Sequence, residues 1–578
     1  MKNLTIPFFY GLLTLLIILP FVGNAQKDLK PKVSIEEIDE LYQKWDNLEK
    51  PGIALGIVSN GEIVHTKGYG LANLTYNIPV TPNTKFYLGK IANQFIVLGI
   101  LLLEAEGKLT LDDDIRKHLP EFAHLQTPIA IADLIHHTSG LRDLAITKAL
   151  GGELESKEMT VQAATQLIAR QRQLNNQPSK AFEPNHSGFL LLEKIIAKVS
   201  EVAYTDFIQQ NILAPLQMTQ TVFDDASGKI IKNKAIGYYP NADSYREGSM
   251  KPLAMNSTNV YSTVKDICKW EQNFLSATPK VGTVAMFKKM DTPVIVDGVP
   301  MPIQNYAMSF GQLQYWDYNG TRKMFNVSMA GGFACKSIRY PEYNLSLIVM
   351  GNDGVYNGST ATATSELYVK NYFSRAPGPR KLVEVEGISL PTESLEKFTG
   401  DYWEDSGFSK RSIYLQNDTL WYARSNGYNS PIIPISKNRF QMITYVNLFV
   451  EFVQRGDQKM MLVEVEGDQT YEYVGYDSEA DWTKDLSAYT GQFYCKELNT
   501  SYQFMLNNQQ LVAKHPNKGT IEFNPILEHS FVGNQPHFNK VTFQVGKEGA
   551  IDGMYIFTDS GDQIWFEKVP TASSRRIN

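Results

Sequence analysis

The last third of this chain is written twice. Leu395-x-x-Phe398-Thr399-Gly400-x-Tyr402 returns as Leu486-x-x-Tyr489-Thr490-Gly491-x-Phe493. At the same offset Leu420 meets Leu511, Phe440 meets Phe531 and Phe452 meets Phe543. One register held over that distance marks an internal duplication. Each copy is roughly 90 residues of strand-like alternation with many aromatics, which suits a small antiparallel barrel or sandwich. The duplication confines the architecture beyond residue 391 and leaves the rest of the chain to form a separate body.

At 578 residues, the chain exceeds what one hydrophobic core serves. Residues 33–48 have helical periodicity in Ile35, Ile38, Leu41, Trp45 and Leu48. Residues 53–70 read as a hairpin around Asn60-Gly61, a strong two-residue turn signal. A long helical region follows, and strands return near residues 344–350, which is an α+β order. Ala376-Pro377-Gly378-Pro379-Arg380 marks a linker.

The N-terminus begins Met1-Lys2-Asn3, runs apolar from Phe8 to Leu19 and reaches Val22-Gly23-Asn24-Ala25. A positive start, a short apolar run and small residues predict a secretory signal cut after Ala25. An uncleaved anchor is the alternative, but Pro20 interrupts the run, which falls short of the roughly 20 residues of a membrane span. The reading is a secreted protein with no membrane span after cleavage. A net charge of −6 argues against a nucleic-acid partner. Cys268, Cys335 and Cys495 fit neither a disulfide framework nor a metal site. The nine histidines include one close pair, His136-His137, so no metal and no cofactor is expected.

Phe86-Tyr87-Leu88-Gly89-Lys90-Ile91-Ala92-Asn93 opens a helical run that continues to Gly107 and is followed by Leu109-Thr110-Leu111-Asp112. This segment resembles the signature of the serine β-lactamase-like hydrolases, the family of class C β-lactamases, D-alanyl-D-alanine carboxypeptidases and related esterases. The resemblance extends to about Tyr372. It implies an α+β domain, an antiparallel sheet flanked by helices with a helical region. The tail repeats resemble the lipocalin-like modules that often follow such a domain. The expected division is a signal peptide at 1–25, the β-lactamase-like domain at 30–373, a linker at 374–391 and lipocalin-like repeats at 392–480 and 481–572.

The family's acyl transfer needs a serine nucleophile, a base, an oxyanion donor pair and a group that holds the substrate. Its first motif is Ser-x-x-Lys directly after the glycine that is Gly89 here. Lys90 and Asn93 occupy the two chemical positions. The apolar stripe Ile91, Phe95, Leu98, Leu102 and Ala105 persists, and Gly107 can cap the helix. The second motif falls on Phe182-Glu183-Pro184-Asn185-His186-Ser187-Gly188, where Pro184 takes the tyrosine position and His186 the asparagine position. The third falls on Met329-Ala330-Gly331-Gly332-Phe333, with Met329 at the histidine position.

The scaffold motifs are kept. They are His136-His137-Thr138-Ser139-Gly140-Leu141, Pro215-Leu216-Gln217-Met218 and Tyr261-Ser262-Thr263-Val264-Lys265-Asp266. Ser262 reads as an N-cap rather than a nucleophile. Loss confined to the chemical motifs is selective, since drift would have damaged the scaffold too.

By position, the backbone oxyanion donors are those of Lys90 and Gly332. Together with the Lys90 ammonium they would attract a carboxylate or carbonyl oxygen. A Lys90 side chain that fills the old cleft or snorkels out of it is the competing expectation. Lys90, His186, Gly331 and Gly332 are thus the candidate ligand-binding residues, and Lys90, Asn93, Pro184, His186 and Met329 the degenerate catalytic positions. The function expected is a secreted, inactive hydrolase homologue that binds a peptide-like, acyl or anionic small molecule or a protein partner. A bacterial periplasm fits the resemblance. Two alternatives stand: an active hydrolase with a rebuilt site, using Lys90 or an unrecognised serine, and a structural envelope protein that binds through its repeats.

Overall fold

The computed structural model describes residues 33–570 apart from internal stretches, the longest being 249–258 and 375–385. The expected signal peptide at 1–25 and most of the linker at 374–391 lie outside the described residues. Among the described residues no helix is long and apolar enough to cross a membrane.

The first body is built on a seven-stranded antiparallel sheet. Its spatial order is Tyr306–Met308, Gln314–Tyr318, Thr321–Ala330, Phe333–Tyr340, Leu345–Gly351, Ile53–Ser59 and Glu62–Tyr69. The early hairpin pairs with the late strands, Ile53 opposite Gly351 and Ser59 opposite Leu345, so the two ends of the domain close one sheet. Ile53–Ser59 is buried along its whole length, as its unbroken apolar run requires of a strand covered on both faces. Asn60 and Gly61 turn the hairpin with φ of 51° and 80°, the left-handed pair that a tight two-residue turn needs. Tyr42, Ile57, Tyr340, Leu347 and Tyr368 fill one face of the sheet. The helix Val264–Leu275 and the helical region that carries Asn93–Ala105 cover the other.

That second face hides an ion pair. Arg339, on the sheet, binds Glu271 through Nε and through Nη2, the latter at 2.8 Å to Oε1. Its Nη2 also donates to Gln94 Oε1 at 2.6 Å, and Ser346 Oγ donates to Glu271 Oε2 at 2.9 Å. Gln94 is the second residue of Asn93–Ala105, so this network ties the start of that helix to the sheet.

The tail forms two closed eight-stranded antiparallel barrels. The first begins with Gly400–Glu404 and closes on Thr470–Tyr476, and the second begins with Gly491–Cys495 and closes on Gln563–Lys568. The duplicated residues do the same work in each. Leu395 and Leu486, Phe398 and Tyr489, Tyr402 and Phe493, Phe440 and Phe531, and Phe452 and Phe543 are all buried. Gly400 and Gly491 share a positive φ, 132° and 133°, which explains the repeated Thr-Gly.

The short helix Leu144–Leu150 of the first body seats on the second barrel. Ile146 and Leu150 join the barrel's core with Tyr502, Phe504 and Phe538. The Tyr502 hydroxyl donates to the Leu150 carbonyl at 2.9 Å, satisfying an acceptor that the helix end would otherwise leave open. The barrels touch each other through Lys540 and Asp405 at 2.7 Å.

Candidate functional site

The chain enters the site through a 3-10 turn, Gly89–Ala92, that leads into Asn93–Ala105. Gly89 has φ 50°, and a Cβ there would collide with Ser328 Oγ. Glycine is therefore required both by the backbone and by the close approach of the strand Thr321–Ala330. The Lys90 N–H donates to Ser328 Oγ at 3.1 Å. Gly89 and Ile91 are buried and the Lys90 side chain between them is exposed. Asn93, one turn on, is 3% exposed, and its Oδ1 finds no hydrogen-bond partner among the described residues.

Pro184 is exposed, two residues ahead of the helix His186–Ser200. Asn185 caps that helix, its Oδ1 accepting from Gly188 N–H at 2.9 Å. Asp143 holds His186 from the side: Asp143 Oδ2 accepts the His186 backbone N–H at 2.7 Å and meets ring Nδ1 at 2.8 Å. The other oxygen of Asp143 caps Leu144–Leu150, accepting from Ala145 N–H at 2.8 Å. Burial by itself raises the Asp143 carboxyl, but the His186 ring and the N–H groups around it outweigh burial and hold it well below the usual carboxylate range.

Beneath these residues lies His137, buried between Phe182 and Phe189. Its Nδ1 accepts from the Asn185 N–H at 3.3 Å. Burial, then the charges of Lys90 and His186, push it down to about 3, so it is neutral. The helix His186–Ser200 packs on Asn93–Ala105, so the second motif lies against the helix that the first motif opens.

The third motif meets this locus one residue earlier than its spacing suggests. Ser328 touches Lys90, and because strand neighbours face opposite sides, Met329 points away and is 53% exposed. Gly331 and Gly332 turn the hairpin against other residues. The Gly332 carbonyl accepts from Tyr238 N–H at 3.2 Å, and Gly237 and Gly248 pack closely on the Gly331 carbonyl. The contact with Lys90 is made by Ser328.

Two residues of the site went unread in the sequence, Asp143 and Ser328. Asp143 had a local signal, an Asp directly before an apolar helical stretch, but its pairing with His186 is tertiary. Ser262 also needs correction. The cap of Val264–Leu275 is Thr263, whose hydroxyl accepts from Asp266 N–H at 3.2 Å, while Ser262 ends a strand and meets Thr221 Oγ1 at 2.7 Å.

An antiparallel sheet closed by both ends of the domain, a buried helix whose first turn abuts a sheet strand, and a second helix packed on it make a β-lactamase-like domain. The Beta-lactamase family model matches residues 39–367, and the chain belongs to this family.

Protein flp of Staphylococcus aureus (strain N315) is 32% identical over 213 residues, 36% of this chain and 41% of that protein, so the match spans well under half of that relative. Penicillin-binding protein 4* of Bacillus subtilis (strain 168) is 25% identical over 424 residues, 68% of this chain and 88% of its own length. Among solved structures, the octameric penicillin-binding protein homologue from Pyrococcus abyssi matches with TM-score 0.53 at 22% identity, over 76% of this chain and 100% of that one. A penicillin-binding protein from Bacillus halodurans matches with TM-score 0.50 at 19% identity, over 57% and 99%. These two likenesses concern the fold.

Proposed function

We propose that this chain is a non-acylating member of its family, which holds an anionic, acyl or peptide-like ligand, or a protein partner, at the Lys90 locus without turning it over. The observation that carries this reading is the hydrogen bond from Lys90 N–H to Ser328 Oγ. At that position the family uses the backbone N–H to stabilise an oxyanion, and here a side-chain hydroxyl engages it. The attacking hydroxyl is replaced by an ammonium, and its base by a buried amide, Asn93. The exposed Lys90 ammonium favours a carboxylate or carbonyl oxygen. The name of the B. subtilis relative points to the same ligand class. The reading includes export through the 1–25 signal, to a bacterial periplasm.

The test is intact-mass analysis after incubation with a fluorophosphonate and with a penicillin. The natural chain is expected to stay unmodified, while a Lys90→Ser, Asn93→Lys, Pro184→Tyr variant acquires an adduct. An adduct on the natural chain overturns the proposal.

One observation favours a second reading, an active hydrolase with a rebuilt site. Asp143 fixes the His186 ring through Nδ1, as an orienting carboxylate does for a general base. Ester turnover by the natural chain that His186→Gln abolishes would establish it.

A further inference from the structure

The hairpin turn at Asn60-Gly61, the last two turns of the helix Val264–Leu275 and the turn at 214–218 surround a cavity of about 520 Å³, a volume suited to a small molecule. It is separate from the Lys90 locus, none of whose residues line it. Ile63 and Leu216 are its only apolar side chains. Gln217, Gln272, Ser276 and Thr278 supply neutral donors and acceptors, and Lys269 and Lys280 supply two ammonium groups. No carboxylate lines it.

The walls are braced by the fold itself. Gln272 Nε2 donates to the Gly61 carbonyl at 2.7 Å and ties the helix to the hairpin. Asn273 Oδ1 accepts from the Lys280 and Val281 N–H groups at 2.8 and 3.1 Å, and its Nδ2 donates to the Val281 carbonyl at 2.9 Å. Ser276 Oγ accepts from Thr278 N–H at 3.0 Å. The loop that carries Thr278 and Lys280 is thus held in place, which lowers the ordering cost of binding. The charges nearby are accounted for. Lys269 Nζ meets Asp266 Oδ1 at 2.9 Å and donates to the Gln217 carbonyl. The other oxygen of Asp266 accepts from Gln220 N–H and Thr221 Oγ1. Glu271 is bound by Arg339 and Ser346, and Glu62 faces away from Ile63 on its strand. Lys280 has no ion pair among the described residues.

Gln217 adds an observation of a different kind. Its φ is 57°, a left-handed backbone that glycine takes freely and glutamine does not. Its N–H donates to the Ala214 carbonyl at 2.9 Å, and the Met218 N–H to the Leu213 carbonyl at 2.8 Å, so the turn is fixed on both sides of it. The turn thus keeps a long amide at a strained position, on the cavity wall, where its side chain makes no hydrogen bond among the described residues. We propose that this cavity binds a monosaccharide-sized polyol that carries one anionic group. Lys280, with Lys269 beside it, takes the anion. Gln217 and the hydroxyls of Ser276 and Thr278 meet the sugar hydroxyls, and Ile63 and Leu216 face the C–H groups of the ring. An acid on an apolar stem would leave those polar groups unpaired.

The experiment is calorimetric titration of the full chain with glucose 6-phosphate, glucuronate, glucose and inorganic phosphate. The better of the two anionic sugars is expected to bind at least about tenfold more tightly than glucose or phosphate alone, and which one it is identifies the anion as phosphate or carboxylate. Lys280→Gln should weaken that binding by about tenfold. Gln217→Gly should weaken it by about threefold or more with no fall in unfolding temperature, because glycine relieves the left-handed backbone. A merely structural Gln217 would move stability and leave binding alone. Lys90→Gln separates this cavity from the Lys90 locus, and binding is expected to survive it. If Lys280→Gln fails to fold, Gln217→Gly and the comparison with glucose on the parent chain decide. Glucose or phosphate binding as tightly as the anionic sugars, no saturable binding of either anionic sugar, loss of binding in Lys90→Gln, or a folded Lys280→Gln or Gln217→Gly chain that binds as the parent does would overturn the proposal.

Discussion

Arg142 in the β-lactamase-like domain is paired with Glu497 of the second barrel, and the residue after Arg142 is the Asp143 that orients His186. Glu497 also accepts from Arg172 N–H at 2.8 Å, and Arg142 Nη2 donates to the Gln563 carbonyl at 2.9 Å. The barrel is thus fastened beside the candidate site, at the start of the helix whose far end it holds through Leu150. The Asp143–His186 contact and the docking of the barrel share one segment of backbone.

Glu497→Ala leaves Arg142, 8% exposed, without its counter-charge, and should cost about 3 kcal/mol. Leu150→Ala empties the apolar seat and should cost a similar amount, about 3 kcal/mol. Denaturant unfolding followed by intrinsic fluorescence checks both. A loss below about 0.5 kcal/mol in both variants would mean that the docking contact contributes no measurable stability.

Gly89→Ala meets two obstacles, a left-handed backbone and the Ser328 hydroxyl. The backbone alone costs about 1–2 kcal/mol, and overpacking adds about 1–3 kcal/mol. Ser328→Gly removes the second obstacle and should recover part of the loss. A double-mutant cycle reads that coupling directly, and strict additivity would sink the claim that the strand presses on the turn.

Elements set by local chemistry were legible in the sequence. The repeat register became two closed barrels, Asn60-Gly61 became the hairpin turn, and the apolar stripe from Ile91 became a buried helix. Of the site, the sequence marked the two helix starts at Lys90 and His186, whose helices pack on each other. What escaped depends on distance or on parity. Arg142 and Glu497 are 355 positions apart, and no pattern in either segment announces the other. Ser328 and Met329 differ by one position, and one position on a strand exchanges the two faces. Thr263 displaced Ser262 as a cap because the preceding strand runs one residue further, through Ser262.

Glu271→Gln should destabilise the domain strongly. Arg339 and Glu271 are 1% and 0% exposed at their side chains, and the variant takes from the buried guanidinium the carboxylate that it contacts directly. The expected loss is about 3–5 kcal/mol. Because Gln94 shares the network, hydrogen exchange should rise at the start of Asn93–Ala105 before it rises in the barrels. Uniform exchange across all three bodies would contradict the anchoring role.

His137 makes stability pH-dependent in a direction that its burial fixes. Burial, Lys90 and His186 push it from the ordinary 6.5 to about 3 in the folded chain. Between those values the unfolded chain binds a proton that the folded chain refuses, so stability rises with pH across the window and is lost as pH falls from about 6.5 towards 3. At pH 5 the loss relative to pH 7 should be about 2 kcal/mol from this one group. His136, pushed down to about 4 chiefly by burial, adds to it in the same sense. Asp143 acts at lower pH: its depressed carboxyl contributes stability above the ordinary carboxylate range, which is lost as pH falls below it. His137→Asn keeps a side chain that tolerates the left-handed backbone at φ 59° and should flatten the stability profile between pH 7 and 5 by about 2 kcal/mol. Urea unfolding of parent and variant at both pH values measures the slope, and parallel slopes would show that His137 is not held neutral in the folded chain.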